Sequence, residues 1–144
     1  MESQERAERS AAAMWATDSA SQHLRMVLGH IAPGAVTVTM PVQDMMLNGH
    51  RICHGGYIFT LADTAFAFAC NTYNTLVVAQ ENTITYLSPG REGETLTATA
   101  SEVARTGRSG VYDVVVTGGD GRKVAVFRGL SRQITGQHFE ETKE

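Results

Sequence analysis

Apolar and polar residues alternate along several segments of the chain with a period of two, which is typical of half-buried strands. Residues 35–42 show the pattern clearly, because valine and methionine alternate there with threonine. The last two predicted strands flank Gly-Gly-Asp-Gly-Arg, which is a hairpin turn signal. Including that pair, we expect four further strands, at 76–90, 94–105, 110–117 and 123–134.

Two other segments have helical patterns. Residues 3–28 are rich in alanine with a loosely apolar stripe, and glycine and proline at 29–34 interrupt the pattern. Residues 57–72 are apolar on nearly every side, which predicts a helix buried all round. Short turns between the strands favour an antiparallel sheet, and the buried helix is its only substantial packing partner. The sequence therefore predicts an α+β fold, with a sheet wrapped about one helix.

Composition adds limits to this picture. A chain of 144 residues suits one domain, 1–144, in which 1–28 form a helical extension and 136–144 a flexible tail. The net charge is −3 and the basic residues are scattered, so we expect no nucleic-acid partner. Two cysteines are too few for a disulfide framework, and no apolar run approaches the ~18 residues of a membrane span. We expect a soluble, cytoplasmic protein without a membrane partner.

A single carboxylate, Asp63, lies inside the apolar helical segment. A lone aspartate in a helix is usually exposed, but apolar neighbours leave little solvent-facing surface here, and a buried carboxylate is costly unless it is partnered or used. Gly55 and Gly56 come just before the helix, where free N–H groups and the helix dipole favour a developing anion. These residues together are candidates for acyl-transfer chemistry.

The spacing of these groups predicts a dimer. Asp63 follows Gly56 by seven residues, a rise of about 10 Å along a helix. A reacting carbon must lie about 3 Å from both the nucleophile and the oxyanion donors, so one helix can hardly supply both. Two helices packed antiparallel across a two-fold axis satisfy the requirement, with two equivalent sites in an obligatory dimer.

The residues before the helix have open roles. His50 and His54 flank Cys53, but no third and fourth ligand cluster nearby, so we expect no metal. His54 is suited either to orient a substrate carbonyl or to fix the loop by a hydrogen bond. Asn48 is suited to position a water or a carbonyl, although asparagine before glycine is also a plain turn signal.

Three stretches carry a family resemblance: LNGHRICHGGYIFTLADTAFAFACN, then TITYLSPGREGETLTATASEVARTGRSGVYDVVVT, and AVFRG. Over roughly residues 28–134 the chain resembles the phenylacetate-degradation thioesterases of the hotdog-fold superfamily. The resemblance implies a long helix wrapped by an antiparallel sheet, and dimers that pair into tetramers with active sites at the dimer interface. It also implies hydrolysis of acyl-CoA thioesters without metal or cofactor, since CoA is part of the substrate.

The resemblance also implies roles for single residues. The family's acid matches Asp63, its backbone donor matches Gly55–Gly56, and its supporting residues match Asn48 and His54. Some relatives hold the hydrolytic water with a serine on the strand after the helix. This chain has Ala79 there, which leaves that role open to residues such as Gln80 or Thr83.

Substrate contacts are less specified. We expect Met46 and Leu47 to line the acyl pocket, and the family suggests a phenylacetyl group or a ring-hydroxylated relative. Among the basic residues, Arg91 and Arg108 are our candidates for the CoA phosphates. The full set of candidates is Arg91, Arg105, Arg108, Arg122, Lys123 and Arg128.

The chemistry leaves alternatives. Asp63 of one subunit either deprotonates a water or attacks the thioester directly to give an anhydride. A hydratase or dehydratase on the same fold would use His54 and Asp63 over Cα and Cβ of the acyl group. A non-catalytic acyl-CoA-binding module is the third interpretation.

Overall fold

The computed structural model describes residues 1–142. Its helices and strands follow the chain in the order α1, α2, β1, β2, α3, β3, β4, β5, β6, and a short 3-10 turn precedes α3. Their bounds are α1 Ser3–Trp15, α2 Ser19–His23, β1 Val27–Ala32, β2 Ala35–Pro41, the turn Asp44–Met46, α3 Gly55–Cys70, β3 Val77–Tyr86, β4 Thr95–Thr106, β5 Ser109–Thr117 and β6 Lys123–Gln133.

The six strands form one antiparallel sheet in the order β1-β2-β4-β5-β6-β3, which leaves β1 and β3 as free edges. The α3 helix packs against one face of the sheet and contacts β2 to β6. Alternate side chains of β2 and β5 point towards the helix and are buried there. The predicted α+β hotdog arrangement is therefore confirmed, with a sheet that curves about the helix without closing.

Close approach between α3 and β6 fixes the position of the helix. Phe66 is fully buried, and its ring lies 5.7 Å from the ring of Tyr112 and 5.8 Å from that of Phe127. A Cβ at Gly129 would come within 2.6 Å of the Phe66 ring, so only glycine lets this strand pass so near the helix. The sheet thus holds α3 in one register.

The sheet does not cover α3 on every side, so the prediction of burial all round is wrong for the single chain. Gly56 is exposed, and Thr60, Asp63 and Ala67 are half-buried. Their spacing of three and four residues places them on one face of the helix. We call this set the open stripe of α3. It borders the free edge of the sheet, because Asp63 is hydrogen bonded to Asn82 of β3.

The prediction of one helix over 3–28 is also wrong. The structure ends α1 at Trp15, places the short α2 after a cap in which the carboxylate of Asp18 accepts the N–H of Ser21, and begins β1 at Val27. A Cβ at Gly29 would meet the Thr37 hydroxyl at 2.7 Å. The glycine that the sequence presents as a helix breaker therefore lies inside an edge strand, close to its neighbour β2.

The C-terminal segment, which the sequence predicts to be a flexible tail, contacts the body of the domain. The side chain of Asn74 is buried, and its Oδ1 accepts the N–H groups of His138 and Phe139 at 2.9 and 3.1 Å. Glu141 forms an ion pair with Arg6 of α1 at 2.6 Å. Residues 138–141 therefore join α1 to the body of the domain, while residues 143 and 144 lie outside the described part of the chain.

Candidate active site

A hydrogen-bonded turn leads into the N-terminus of α3. The Oδ1 of Asn48 accepts the N–H groups of His50 and Ile52 at 2.9 and 3.4 Å, which closes the turn. The amide oxygen of Asn48 is therefore used by the protein backbone, in agreement with the turn interpretation. The amide NH2 of Asn48 has no hydrogen-bond partner within residues 1–142, and Asn48 lines the groove beside α3, so this group can donate to a ligand there.

His54 caps the N-terminus of α3. Its Nδ1 accepts the N–H of Gly56 at 2.9 Å, so that donor is occupied. Within residues 1–142 the N–H of Gly55 has no hydrogen-bond partner. Because Nδ1 is an acceptor, a neutral His54 carries its proton on Nε2, where it can donate. Of the two glycines named from the sequence, Gly55 thus offers the free donor, and His54 can offer a second one.

A groove of about 390 Å³ opens beside Gly55. Ile58, Tyr86 and Leu87 line it with apolar surface, and the hydroxyl of Tyr86 donates to the carbonyl of Gly55 at 3.0 Å. The groove is suited to an acyl group, because it combines an apolar wall with few polar groups at one end.

The expected acyl-pocket residues Met46 and Leu47 do not line this groove. Met46 is fully buried and its carbonyl accepts the N–H of His54 at 2.8 Å, while Leu47 packs against the core. The sequence pattern showed that they are apolar, but the 3-10 turn directs Met46 inwards. Both support the loop that presents His54, and the side chains of Tyr86 and Leu87 take the wall positions.

Asp63 is half-buried on the open stripe and, among the described residues, has one hydrogen-bond partner, Asn82. The Nδ2 of Asn82 donates to Oδ1 of Asp63 at 3.0 Å, and Oδ1 of Asn82 is buried without a partner in the described residues. Burial raises the pKa of Asp63 above its ordinary value, and the hydrogen bond from Asn82 opposes this shift. The carboxylate is therefore partly desolvated and keeps its second oxygen free.

The sequence did not single out Asn82. Gln80 and Thr83, the candidates near the Ala79 position, are both exposed and form no hydrogen bond with Asp63 within residues 1–142. A bulge between Ala79 and Glu81 resets the alternation along β3, so that Asn82 faces inwards together with Ile84. The sequence offers one signal for this: Asn82 lies two residues before the apolar Ile84, and side chains two residues apart in a strand share a face.

Within one protomer, Gly55 and Asp63 lie too far apart to contact the same substrate atom. Gly55 and Asp63 are eight residues apart on the same helix, a rise of about 12 Å. A single thioester carbon cannot lie about 3 Å from both groups. If Gly55 and Asp63 act on the same carbon, the observed helix therefore needs a second copy of the chain to supply one of them, as the sequence predicts.

The basic residues divide into paired and unpaired groups. Arg122 forms ion pairs with Glu94 and Asp120, and Arg128 forms one with Asp113. Arg91 and Lys123 are exposed. Arg105 lies over the ring of Tyr73 at 3.5 Å.

Arg91 and Arg108 cannot bind the same phosphate within one chain. They flank opposite ends of β4, whose 12 residues span roughly 36 Å. Arg91 lies near the N-terminus of α3, since the neighbouring Gly90 carbonyl accepts the N–H of Cys53 at 2.8 Å. Arg108 lies at the other end of the sheet, beside a separate pocket that also contains Cys70.

The two cysteines are poorly placed to act as nucleophiles. Cys53 and Cys70 are free and buried, and burial raises the pKa of their thiols to about 11 and about 12. Within residues 1–142 no three His, Cys, Asp or Glu side chains converge to hold a metal ion. In the same part of the chain, no helix is long and apolar enough to cross a membrane.

The Asp63–Asn82 pair predicts a defined pH dependence. A role of Asp63 as base or nucleophile requires the ionised carboxylate, so with that role activity is expected to fall as the pH drops through the raised pKa of Asp63. Asn82→Ala removes the hydrogen bond that lowers this pKa, and we expect the acidic limb of kcat/KM to move to higher pH. Thr83→Ala changes the exposed neighbouring residue and is the matched control. The acidic limb of its kcat/KM profile should lie at the same pH as that of the wild type. An unchanged limb in Asn82→Ala would contradict the assigned contact.

Fold and site together define a class, the hotdog-fold thioester-processing proteins. Residues 50–125 match the family model described as the thioesterase superfamily. The chain is 44% identical to the acyl-coenzyme A thioesterase PaaI of Escherichia coli K12, over 86% of this chain and 89% of that protein. The chain therefore belongs to the thioesterase superfamily, and the resemblance stated from its sequence is confirmed.

Solved structures show the same relationship. The structure of the E. coli PaaI protein from the phenylacetic acid degradation operon has a TM-score of 0.93 and 42% identity, and the match covers 94% of this chain and 99% of that one. The protein smu.793 of Streptococcus mutans UA159, solved bound to acetyl CoA, has a TM-score of 0.74 and 31% identity. That match covers 78% of this chain and 90% of the other.

Proposed function

We propose that the protein hydrolyses acyl-CoA thioesters, with phenylacetyl-CoA or a ring-hydroxylated relative as the preferred substrate class, in phenylacetate catabolism. The observation that carries the proposal is the half-buried carboxylate of Asp63 on the open stripe of α3, bonded to Asn82. A relative named for acyl-CoA thioester hydrolysis and a structural neighbour bound to acetyl CoA support the substrate class. The apolar groove at Gly55 is suited to the aromatic acyl group.

The reaction is assigned to residues of two chains. The thioester carbonyl accepts hydrogen bonds from the Gly55 N–H and from Nε2–H of His54 of one chain, which stabilise the oxyanion. Asp63 of the other chain either takes a proton from the attacking water or attacks the carbonyl carbon itself. In both routes the C–S bond breaks, and CoA leaves as the thiolate and takes up a proton. The second carboxylate oxygen of the product comes from water in the general-base route. In the direct-attack route it comes from Asp63, and water restores the oxygen that the carboxylate has given up.

Oxygen isotope labelling separates the two routes. In a single turnover in labelled water, direct attack leaves the label in Asp63, because water then cleaves the anhydride at the aspartyl carbonyl. General-base catalysis places the label in the acid product alone. Mass spectrometry of the peptide that contains Asp63 reads out the difference.

Completion of the site by a second copy is part of the proposal. The open stripe leaves Asp63 uncovered by its own sheet, and β3 is a free edge beside it. Val78 and Tyr86 of β3 and the following Leu87 are 45%, 49% and 54% exposed, and apolar side chains on an unpaired edge strand favour association with another chain. A dimer that packs the open stripes against each other would cover this surface, and two such dimers would form the tetramer expected from the resemblance.

A panel of acyl-CoA thioesters, read by release of free thiol, tests the proposed activity. We expect phenylacetyl-CoA and its ring-hydroxylated relatives to be turned over faster than acetyl-CoA and long-chain acyl-CoA. Hydration of crotonyl-CoA without thiol release would instead show a hydratase. Binding of the thioesters without any turnover would show an acyl-CoA-binding module.

A further inference from the structure

The pocket near Arg108 joins three parts of the chain that are distant in sequence. It has a volume of about 300 Å³ and lies at the C-terminal end of α3, beside the turn between β4 and β5. Three arginines line it: Arg6 from α1, Arg105 from the end of β4, and Arg108 from the β4–β5 turn. Such a convergence of guanidinium groups suits a phosphate-bearing ligand.

Arg6 is held in place by the C-terminal segment. Its Nε donates to both carboxylate oxygens of Glu141, at 3.0 and 3.1 Å, and its Nη2 donates to Oε1 at 2.6 Å. Glu141 is fixed in turn by the Nδ2 of Asn74 at 3.1 Å. Within residues 1–142 the Nη1 of Arg6 has no partner, so this end of a pre-oriented guanidinium is left to donate.

Arg105 is likewise oriented by its neighbours. Its guanidinium stacks over the ring of Tyr73 at 3.5 Å, and the hydroxyl of Tyr73 donates to Glu102 at 3.0 Å. Glu102 also accepts from the buried Tyr112 at 2.8 Å. Glu102 and Glu141, which contact residues of the pocket wall, are thus engaged with hydroxyl, amide and guanidinium donors.

The pocket lies on the same chain as Asp63 and within reach of it. Cys70 lines the pocket and follows Asp63 by seven residues on α3, a rise of about 10 Å. The pantetheine arm of CoA separates its phosphates from the thioester, so a thioester at Asp63 can have phosphates further along the helix.

We propose that Arg6, held by Glu141 of the C-terminal segment, binds the phosphates of the CoA nucleotide together with Arg105 and Arg108. The N-terminal helix and the C-terminal segment thereby form one wall of the nucleotide pocket and help the enzyme to select CoA thioesters over thioesters without a nucleotide. This inference rests on the proposed thioesterase function, which it extends to recognition of the nucleotide.

The test compares two substrates that share the same acyl group. Arg6→Gln should lower kcat/KM for phenylacetyl-CoA about tenfold, mainly through KM, and leave kcat/KM for phenylacetyl-pantetheine unchanged, because the second substrate has no phosphates. Arg9→Gln is the matched control. Arg9 also lies on α1 and stacks on Phe139 of the C-terminal segment at 4.2 Å, but it does not line the pocket. We expect this variant to behave as the wild type with both substrates.

The outcomes distinguish a role of Arg6 in phosphate binding from a role in folding. An equal fall with both substrates would show that Arg6 only supports the fold, and no change with either would show that it does not bind phosphate; each result overturns the inference. Arg6→Lys keeps one positive charge and should lose less than Arg6→Gln with the CoA thioester alone, so it tests the inference even where the glutamine variant folds poorly.

A binding measurement separates this inference from the proposed activity. Adenosine 3′,5′-bisphosphate carries nucleotide phosphates without the thioester, and we expect Arg6→Gln to weaken its binding about tenfold by calorimetry. An absence of hydrolysis with every thioester would overturn the proposed function, and the calorimetry would still report on the pocket. Equal affinity of wild type and Arg6→Gln would overturn the inference alone.

Discussion

Replacing Asp63 by asparagine is expected to lower kcat at least about 100-fold and to leave the fold intact. Asparagine keeps the size of the side chain and can still accept the hydrogen bond from Asn82, but it neither takes a proton from water nor attacks a thioester. Steady-state release of thiol from phenylacetyl-CoA measures the loss. Asp113→Asn is the matched control, because Asp113 forms an ion pair with Arg128 on the sheet, away from α3, and its kcat should not change.

The same substitution should not destabilise the protein. Burial raises the pKa of Asp63, so its ionised form is less favourable in the folded state than in the unfolded chain. The stability that the protonated form contributes is present below the ordinary pKa of an aspartate and is lost as the pH rises through the raised value. At neutral pH the Tm of Asp63→Asn should therefore equal or exceed that of the wild type. Near-normal kcat in this variant would exclude the mechanism, whatever its Tm.

Removing the N–H of Gly55 is the second substitution with a large expected effect. Gly55 is the first residue of α3, where proline is tolerated because the N–H has no intrahelical partner. The extended backbone of His54, with φ −59° and ψ 134°, is also compatible with a following proline. Gly55→Pro should lower kcat by roughly 10²–10³, the cost of losing one oxyanion donor.

Gly55→Ala is the control for this substitution. A Cβ at position 55 comes within 3.1 Å of the Tyr86 ring in both variants, but alanine keeps the N–H. Tyr86 is 49% exposed and its ring can move aside, so we expect a small effect from the Cβ alone. Equal losses in the alanine and proline variants would assign the effect to crowding, and the Gly55 N–H would then have no role in the reaction.

The two substitutions together test whether each site uses two chains. In a dimer of Asp63→Asn with Gly55→Pro, one site carries both changes and the other carries neither. Mixing equal amounts of the two inactive variants under conditions of subunit exchange should restore about a quarter of the wild-type activity, since half of the random dimers are mixed and have one intact site. Activity that stays at the level of the separate variants would show that Gly55 and Asp63 do not act across an interface.

The buried helix and most of the sheet could be predicted from the sequence because local pattern determines them. Continuous apolar residues after Gly55–Gly56 require burial whatever packs on them, and the period of two in β2 and β5 places one side of each strand in the core. The predicted range 57–72 agrees with α3 to within two residues at each end, because the glycines that precede the pattern can join the first turn.

The edge elements could not be predicted in the same way. Residues 27–32 have no alternating pattern, since β1 is an edge strand with one neighbour and much of it is exposed. Helix propensity therefore dominated the prediction there, while pairing with β2 decided the structure. The C-terminal residues are polar and read as a tail, yet their partners are Asn74 and Arg6, more than 60 positions away.

For the site, the sequence by itself determined which groups are chemically able to react: one carboxylate in an apolar helix, and two glycines at the start of that helix. Only the tertiary structure decided which of these groups are free. It assigned the Gly56 N–H to His54, left that of Gly55 without a partner among residues 1–142, and brought Asn82 to Asp63 through a bulge in β3. The physical reason is that residue type and helical rise are local properties, whereas a hydrogen-bond partner depends on which distant backbone the fold places within about 3 Å.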